Sequence, residues 1–271
     1  MADRVTIGPH QISFTVRGSG GPAVVIEPAF GGTAEQWQDI AGTLAAQTTV
    51  LTYDRAAYGA SSRAMDRRTP AEIARDLHSV LDAACVARPL VLVGHSYGGV
   101  CIRKFTEFYG DEVAGMVLVD SSYEGQRAIL RGSWPVRIML TAVTTVPLVT
   151  IGRREHRGYA DRRSLVREYR SLLSLRAADR ALAAGALGNR PLAVLTRGAG
   201  DVPDLQESWR RWNGMQEELA RLSTNSRHII SQEPDHYVHM SEPDLVTATI
   251  ADVVHSVRTG GSLTGLAEEA S

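Results

Sequence analysis

The 271 residues carry 29 basic and 30 acidic side chains, a net charge of −1, with 44% apolar and 22% charged content. Those are globular values, and a near-neutral chain lacks the basic footprint that nucleic-acid binding needs. Cys85 and Cys101 are too few for a disulfide framework, and Met1 to Val5 carries no basic-then-apolar leader, so a compact protein in a reducing, cytoplasmic setting is expected.

The chain opens on strands. Val5 to Ile7, Ile12 to Val16 and Ala23 to Glu27 read as the first three, with Gly18 to Pro22 as a turn. Beyond about Tyr53 the pattern alternates helix and strand. Pro70 to Ala84 reads as a helix: Thr69-Pro70 with Glu72 marks its start, and Ile73, Leu77, Val80 and Leu81 mark one face. Cys85 ends that helix and Cys101 begins another; both read as buried small hydrophobes. Between them the apolar run Pro89 to Val93 leads into Gly94-His95-Ser96-Tyr97-Gly98, and Gly98 to Phe105 continues as a helix. An apolar run ending in Gly-x-Ser-x-Gly reads as a nucleophile elbow, a sharp turn on which strand and helix crowd around a strained serine. Glycine permits that crowding because it has no Cβ. Val113 to Val119 is a further buried strand with Asp120 at its end, and Leu192 to Thr196 leads into a loop with Asp201. Ser226 to Ile230 is a short strand, followed by a loop holding His236 and a helix from Pro243 to Val257. No internal repeat is present.

A serine hydroxyl is a weak nucleophile at neutral pH and needs a histidine base oriented by a carboxylate. His236 is the outstanding base, because it stands on a loop just past a strand end, where catalytic groups of parallel sheets gather. His239 and His228 are weaker candidates, the latter lying inside a strand, and His95 reads as packing beneath the serine. His10, His78, His156 and His255 have no motif around them. Two carboxylates compete for the acid. Asp120 is favoured for its rigid, buried strand end, and Asp201 is the alternative in the loop after Thr196. Asp204 reads as the start of the helix that carries Trp209 and Trp212.

Four stretches in order resemble the α/β-hydrolase superfamily: Ala23 to Gly32 as strand and oxyanion loop, Val50 to Ser61 with its Tyr-Asp-x-x-x-x-Gly-x-Ser pattern, the Gly94 to Gly98 elbow, and Asp235-His236-Tyr237 through Pro243 as the histidine loop. The resemblance implies an α/β-hydrolase fold, a mostly parallel central sheet flanked by helices with an inserted helical cap. It implies a core over residues 1–122 and 191–258, a cap over 123–190 and a flexible tail over 259–271. It also implies ester hydrolysis by Ser96, His236 and Asp120, with backbone N–H groups of Phe30 and Tyr97 as the oxyanion hole. That chemistry takes a small-molecule acyl substrate and calls for no cofactor and no metal. Thioester hydrolysis, acyl transfer, carbon–carbon hydrolysis and ligand binding with little turnover stay open. The chain departs from the pattern in two places. Pro28-Ala29 stands where the oxyanion loop usually has His-Gly, and some members carry the acid after the sixth strand, where Asp120 lies, rather than after the seventh.

The expected cap is lopsided in charge. Residues 127–190 hold thirteen arginines against Glu155, Asp161, Glu168 and Asp179, a net of +9, which leaves −10 on the remainder. This reads either as a basic rim for an acidic substrate or as a cap ion-paired to the acidic body. Within it, Ile138 to Ile151 is nearly all apolar or threonine but contains Pro147 and is too short to span a membrane. An acyl-pocket lining beside Trp134, an interfacial lid and a homodimer contact are its three readings.

Overall fold

In the computed structural model, which describes residues 2–63, 68–124, 126, 162–175, 181–200 and 206–263, the apolar runs assemble into one eight-stranded sheet. The strands are β1 (Asp3–Ile7), β2 (His10–Arg17), β3 (Ala23–Glu27), β4 (Val50–Asp54), β5 (Leu90–His95), β6 (Val113–Val119), β7 (Leu192–Thr196) and β8 (Ser226–Ile230). Their order across the sheet is β1-β2-β4-β3-β5-β6-β7-β8. The pairs β1–β2 and β2–β4 are antiparallel and every later neighbour is parallel. This is the mostly parallel α/β sheet the strand and helix pattern implies.

Strands covered on both faces need no polar alternation, which is why β3 to β7 read as continuous apolar runs. The period of two survives in where each side chain goes. Val24, Ile26, Val91, Val93, Val117, Val119, Ala193 and Leu195 enter one layer. There they meet Trp37, α1 (Gln38–Leu44) and α6 (Pro243–Thr259), through residues such as Ile40, Ile250 and Val253. Val25, Leu92, Met116, Leu118 and Val194 enter the opposite layer. Their partners there come from α2 (Pro70–Ala83), α3 (Tyr97–Tyr109) and α5 (Gln206–Ala220), through Leu77, Phe105 and Leu219.

The helix α2 starts as its sequence predicts: Thr69 and Glu72 exchange side-chain and backbone hydrogen bonds in a capping box, with Pro70 in the first turn. Cys101 is buried as expected, whereas Cys85 is exposed, because the chain turns out of α2 there with φ of +52°. In the stretch past Thr259, expected as a flexible tail, residues 260–262 are exposed and Leu263 returns to the core. That side chain is buried, and its amide donates to Asn225 Oδ1 at 2.9 Å.

One feature of this topology positions the site. β3 lies between β4 and β5. The chain leaves β3 toward the α1 face and leaves β5 toward the α3 face, so consecutive loops part to opposite sides. The carboxyl ends of β3 and β5 are where a doubly wound sheet of this order ordinarily places its ligand.

Of the segment expected as a cap, α4 (Arg162–Ser174) belongs to the described structure. Trp134, the Ile138 to Ile151 run, His156, Asp201 and Asp204 lie outside the described residues. No helix among the described residues is long and apolar enough to cross a membrane.

Leu92 sits mid-strand in the central β5 and is fully buried. Leu92→Ala is expected to lower stability by about 2–5 kcal/mol, read in urea as a lower midpoint with an unchanged slope.

Candidate active site

Ser96 occupies the single residue between β5 and α3, with φ 53° and ψ −118°. That conformation is sparsely populated for a residue with a side chain, and the surroundings hold it there. The Ser96 amide donates to Val119 O at 3.0 Å, while its carbonyl accepts from Gly99 N at 3.0 Å and Ser122 N at 2.9 Å. The glycines of the motif act by close approach. A Cβ on Gly94 would come within 2.7 Å of Gly99 Cα, and one on Gly98 would collide with the carbonyl oxygens of Glu27 and Pro28. Gly98 therefore lets the start of α3 rest directly against the end of β3. Tyr97, the first residue of α3, has an amide with no intrahelical acceptor, next to the loop that carries Phe30.

Asp120 follows β6, the neighbour of β5, and is fully buried with φ of +39°. Its carboxylate accepts four hydrogen bonds. Oδ2 receives His236 Nδ1 at 2.5 Å and Arg197 Nη1 at 3.1 Å. Oδ1 receives Trp212 Nε1 at 2.6 Å and the Arg197 amide at 3.3 Å. Burial pushes this carboxyl up, but the hydrogen bond and charge of His236, with Arg197 and Trp212, outweigh it and hold the pKa below the usual value. Arg197 Nη1 also lies 3.4 Å from His236 Nδ1. A guanidinium only donates, and the shorter bond to Asp120 claims the Nδ1 proton.

Three imidazoles cluster here, and burial separates their roles. His95 is fully buried under the elbow, and a carbonyl can only accept, so its Nε2–H donates to His236 O at 2.8 Å. Burial, reinforced by the charges of His236 and His239, drives His95 well below an ordinary imidazole. His239 stacks on Trp37 with centroids 4.2 Å apart. Burial first and His236 second lower its pKa to about 3. His236, 31% exposed in its side chain, is the ring of the three open to solvent. Among the described residues no group of three or more His, Cys, Asp or Glu is placed to hold a metal ion. His228 instead bonds Thr196 Oγ1 at 2.7 Å between adjacent strands, and His78 pairs with Glu112 at 2.9 Å.

The residue that sequence reasoning missed is Arg55. It is 1% exposed, and its guanidinium donates to Pro28 O and Ala29 O, each at 2.7 Å. These are the carbonyls that precede Phe30. The same group pairs with Glu27 at 2.5 Å and with Glu168 of α4 at 2.8 Å. Burial opposes the Arg55 charge, but Glu168 and Glu27 overcome that and keep it cationic. Glu27 is pushed up by burial despite Arg55, and it accepts the Tyr53 hydroxyl. Arg55 thus fixes the loop that carries Phe30 and ties α4 to it. The only signal in the sequence was an arginine directly after Tyr53-Asp54. Arg197 and Trp212 carried no signal beyond their proximity to the loop after β7.

Residues 22–142 match a family model described as the α/β hydrolase fold. The uncharacterized protein YqjL of Bacillus subtilis is 26% identical over 88% of this chain and 85% of its own length. An AB hydrolase superfamily protein of Gibberella zeae is 25% identical over 92% of this chain and 93% of its own. A thermophilic esterase from Thermogutta terrifontis superposes with a TM-score of 0.71 at 20% identity, covering 95% of this chain and 99% of that one. The enol-lactonase from Burkholderia xenovorans LB400 gives 0.70 at 16% identity, covering 93% and 100%. At these identities the structural likeness establishes the fold.

His95 and His239 are neutral in the folded protein but titrate near 6.5 once unfolded, so the unfolded state binds more protons below that pH. Stability therefore falls as the pH drops from about 6.5, by about 1.4 kcal/mol per pH unit for each such ring. His239→Phe, which keeps an aromatic ring on Trp37, is expected to reduce the slope of unfolding free energy between pH 6 and 4 by about that amount. Denaturant titrations of both proteins across this range measure it, and an unchanged slope would refute the assignment.

Proposed function

We propose that this chain, a member of the α/β-hydrolase superfamily, is a serine hydrolase that cleaves carboxylic esters through an acyl-enzyme on Ser96. The observation that carries this reading is the 2.5 Å bond from His236 Nδ1 to the buried Asp120 carboxylate, made at the same carboxyl end of the sheet as the strained Ser96. A carboxylate bound at Nδ1 sets the tautomer that leaves Nε2 free to accept a proton, and it stabilises the imidazolium that results.

In this mechanism Ser96 Oγ attacks the acyl carbonyl while His236 Nε2 takes its proton. The amides of Tyr97 and Phe30 hold the oxyanion that develops, and each such donor is typically worth about 10²–10³ in rate. Collapse of the tetrahedral intermediate expels the alcohol, protonated by His236. Water, deprotonated by the same ring, then releases the acid and restores Ser96. Arg55 serves this scheme indirectly, because fixing the 28–29 carbonyls fixes the plane of the peptide that carries the Phe30 amide.

Asp120 suits the acid role for a physical reason. Its four hydrogen bonds occupy both oxygens, so the carboxylate stays ionised and cannot swing away from the ring.

The test is hydrolysis of p-nitrophenyl butyrate together with labelling by a fluorophosphonate. Ser96→Ala is expected to lose labelling and to lower turnover by about 10⁴-fold or more, and Asp120→Asn to lower it by about 10⁴-fold, with the fold intact by circular dichroism. Labelling at another residue, or full turnover by Ser96→Ala, would overturn the reading. A wild-type protein that neither labels nor turns over would leave a binding protein on a hydrolase fold.

A further inference from the structure

Between the start of α2 and α4 lies a cavity of about 420 Å³, lined by Arg68, Thr69, Arg167, Arg170, Ser171 and Ser174. Among the described residues, three guanidinium groups and three hydroxyls line it, and no carboxylate does. Arg68 is 2% exposed, and its Nη1 pairs with Asp76 at 2.7 Å. Its Nε and Nη2 are buried with no hydrogen-bond partner. These two N–H groups form the side edge of the guanidinium, the edge that grips a carboxylate or phosphate through two parallel bonds. A buried charged donor left unfilled is costly, so an edge with this geometry marks a place for an acceptor. Glu168, the carboxylate on the same helix, is engaged by Arg55 and does not fill it.

Two residues of the cavity wall touch the side chain next to Ser96. Tyr97, next to Ser96, is fully buried and extends its hydroxyl to Ser171 Oγ at 3.3 Å and to Arg68 O at 3.4 Å. Leu172 and Leu175 pack with Tyr97 and Phe30 in one apolar cluster. One tyrosine side chain thus separates the elbow from the wall of an arginine-lined pocket.

We propose that this cavity binds an oxyanion group, a carboxylate or phosphate, carried at the far end of the acyl chain whose carbonyl meets Ser96. The substrates are then anionic half-esters rather than neutral esters. This rests on the serine-hydrolase reading for its chemistry, but the anion site itself does not need turnover. Arg68 supplies the buried fork, Arg170 a second cation at the mouth, and Ser171 and Ser174 supply neutral donors.

Two measurements test it at constant ionic strength. The first is binding of inorganic phosphate and of succinate, by calorimetry and thermal shift, to wild type, Arg68→Gln and Arg170→Gln. The second is the ratio of kcat/KM for p-nitrophenyl hemisuccinate to that for p-nitrophenyl butyrate. Wild type is expected to bind both anions and to favour the hemisuccinate, and Arg170→Gln to weaken succinate and lower the ratio by about tenfold. Arg170 is exposed, so that variant remains decisive even if Arg68→Gln fails to fold. Absence of anion binding, with a ratio unchanged by Arg170→Gln, would overturn the proposal. Arginine-dependent binding with an unchanged ratio would also overturn it as stated, by assigning the cavity to a free anion. Arginine-dependent binding without turnover of either ester would uphold the anion site and refute the hydrolase reading instead.

Discussion

A carboxylate without solvent contact must find donors for both oxygens, and that requirement on Asp120 organises one end of this molecule. Its four donors come from three places: the His236 loop after β8, Arg197 directly after β7, and Trp212 on α5. Removing any one would leave part of a buried charge uncompensated, at a cost far above that of a surface contact. The charge therefore fixes where the last two strands end, how the helix between them docks, and which nitrogen of His236 faces solvent. The depressed pKa of Asp120 follows from the same four partners, whose attraction exceeds the penalty of burial.

A second buried charge does the equivalent work on the other side of Ser96. Arg55 satisfies two backbone carbonyls, one carboxylate of β3 and one of α4. A guanidinium suits this position because its planar fork reaches several acceptors at once, which an ammonium does not. The arginine-rich segment can be read either as a basic rim or as a counter-charge for an acidic body. The ion pair that joins α4 to the sheet runs in the opposite sense, from an acid of the segment to a base of the core. Glu168 pairs with Arg55, while Arg170 of the same helix lines a cavity that has no carboxylate among its described lining residues. Net charge over a window thus concealed the interaction that matters, since one buried pair outweighs many solvated charges.

Much of the sheet was legible because burial on both faces leaves an unbroken apolar run, and β3 to β7 are such runs. The elbow was legible because its glycines are required sterically: Gly94 and Gly98 stand where a Cβ would strike the backbone of α3 or β3. The roles of the histidines were partly legible. His236 stood out by its loop, and His95, expected to pack beneath the serine, has a fully buried ring that bonds the His236 carbonyl. His239 lay in the same loop, and nothing local showed that it would stack on Trp37 from a helix start two hundred residues away. Cys85 was expected in the core from its place at a helix end. The left-handed turn that ends α2 points it outward instead.

Sequence alone determined the strands and the elbow, because each is written in spacings of a few residues. Only the tertiary structure decided which carboxylate touches His236, since Asp120 and the ring are 116 positions apart and meet through the lateral order of β6, β7 and β8. It also decided that Arg55, an ordinary surface residue by type, lies at the centre of a buried network. Local pattern encodes which residues avoid water. Which buried charges find one another depends on how the strands are laid side by side, and that is set by the whole chain at once.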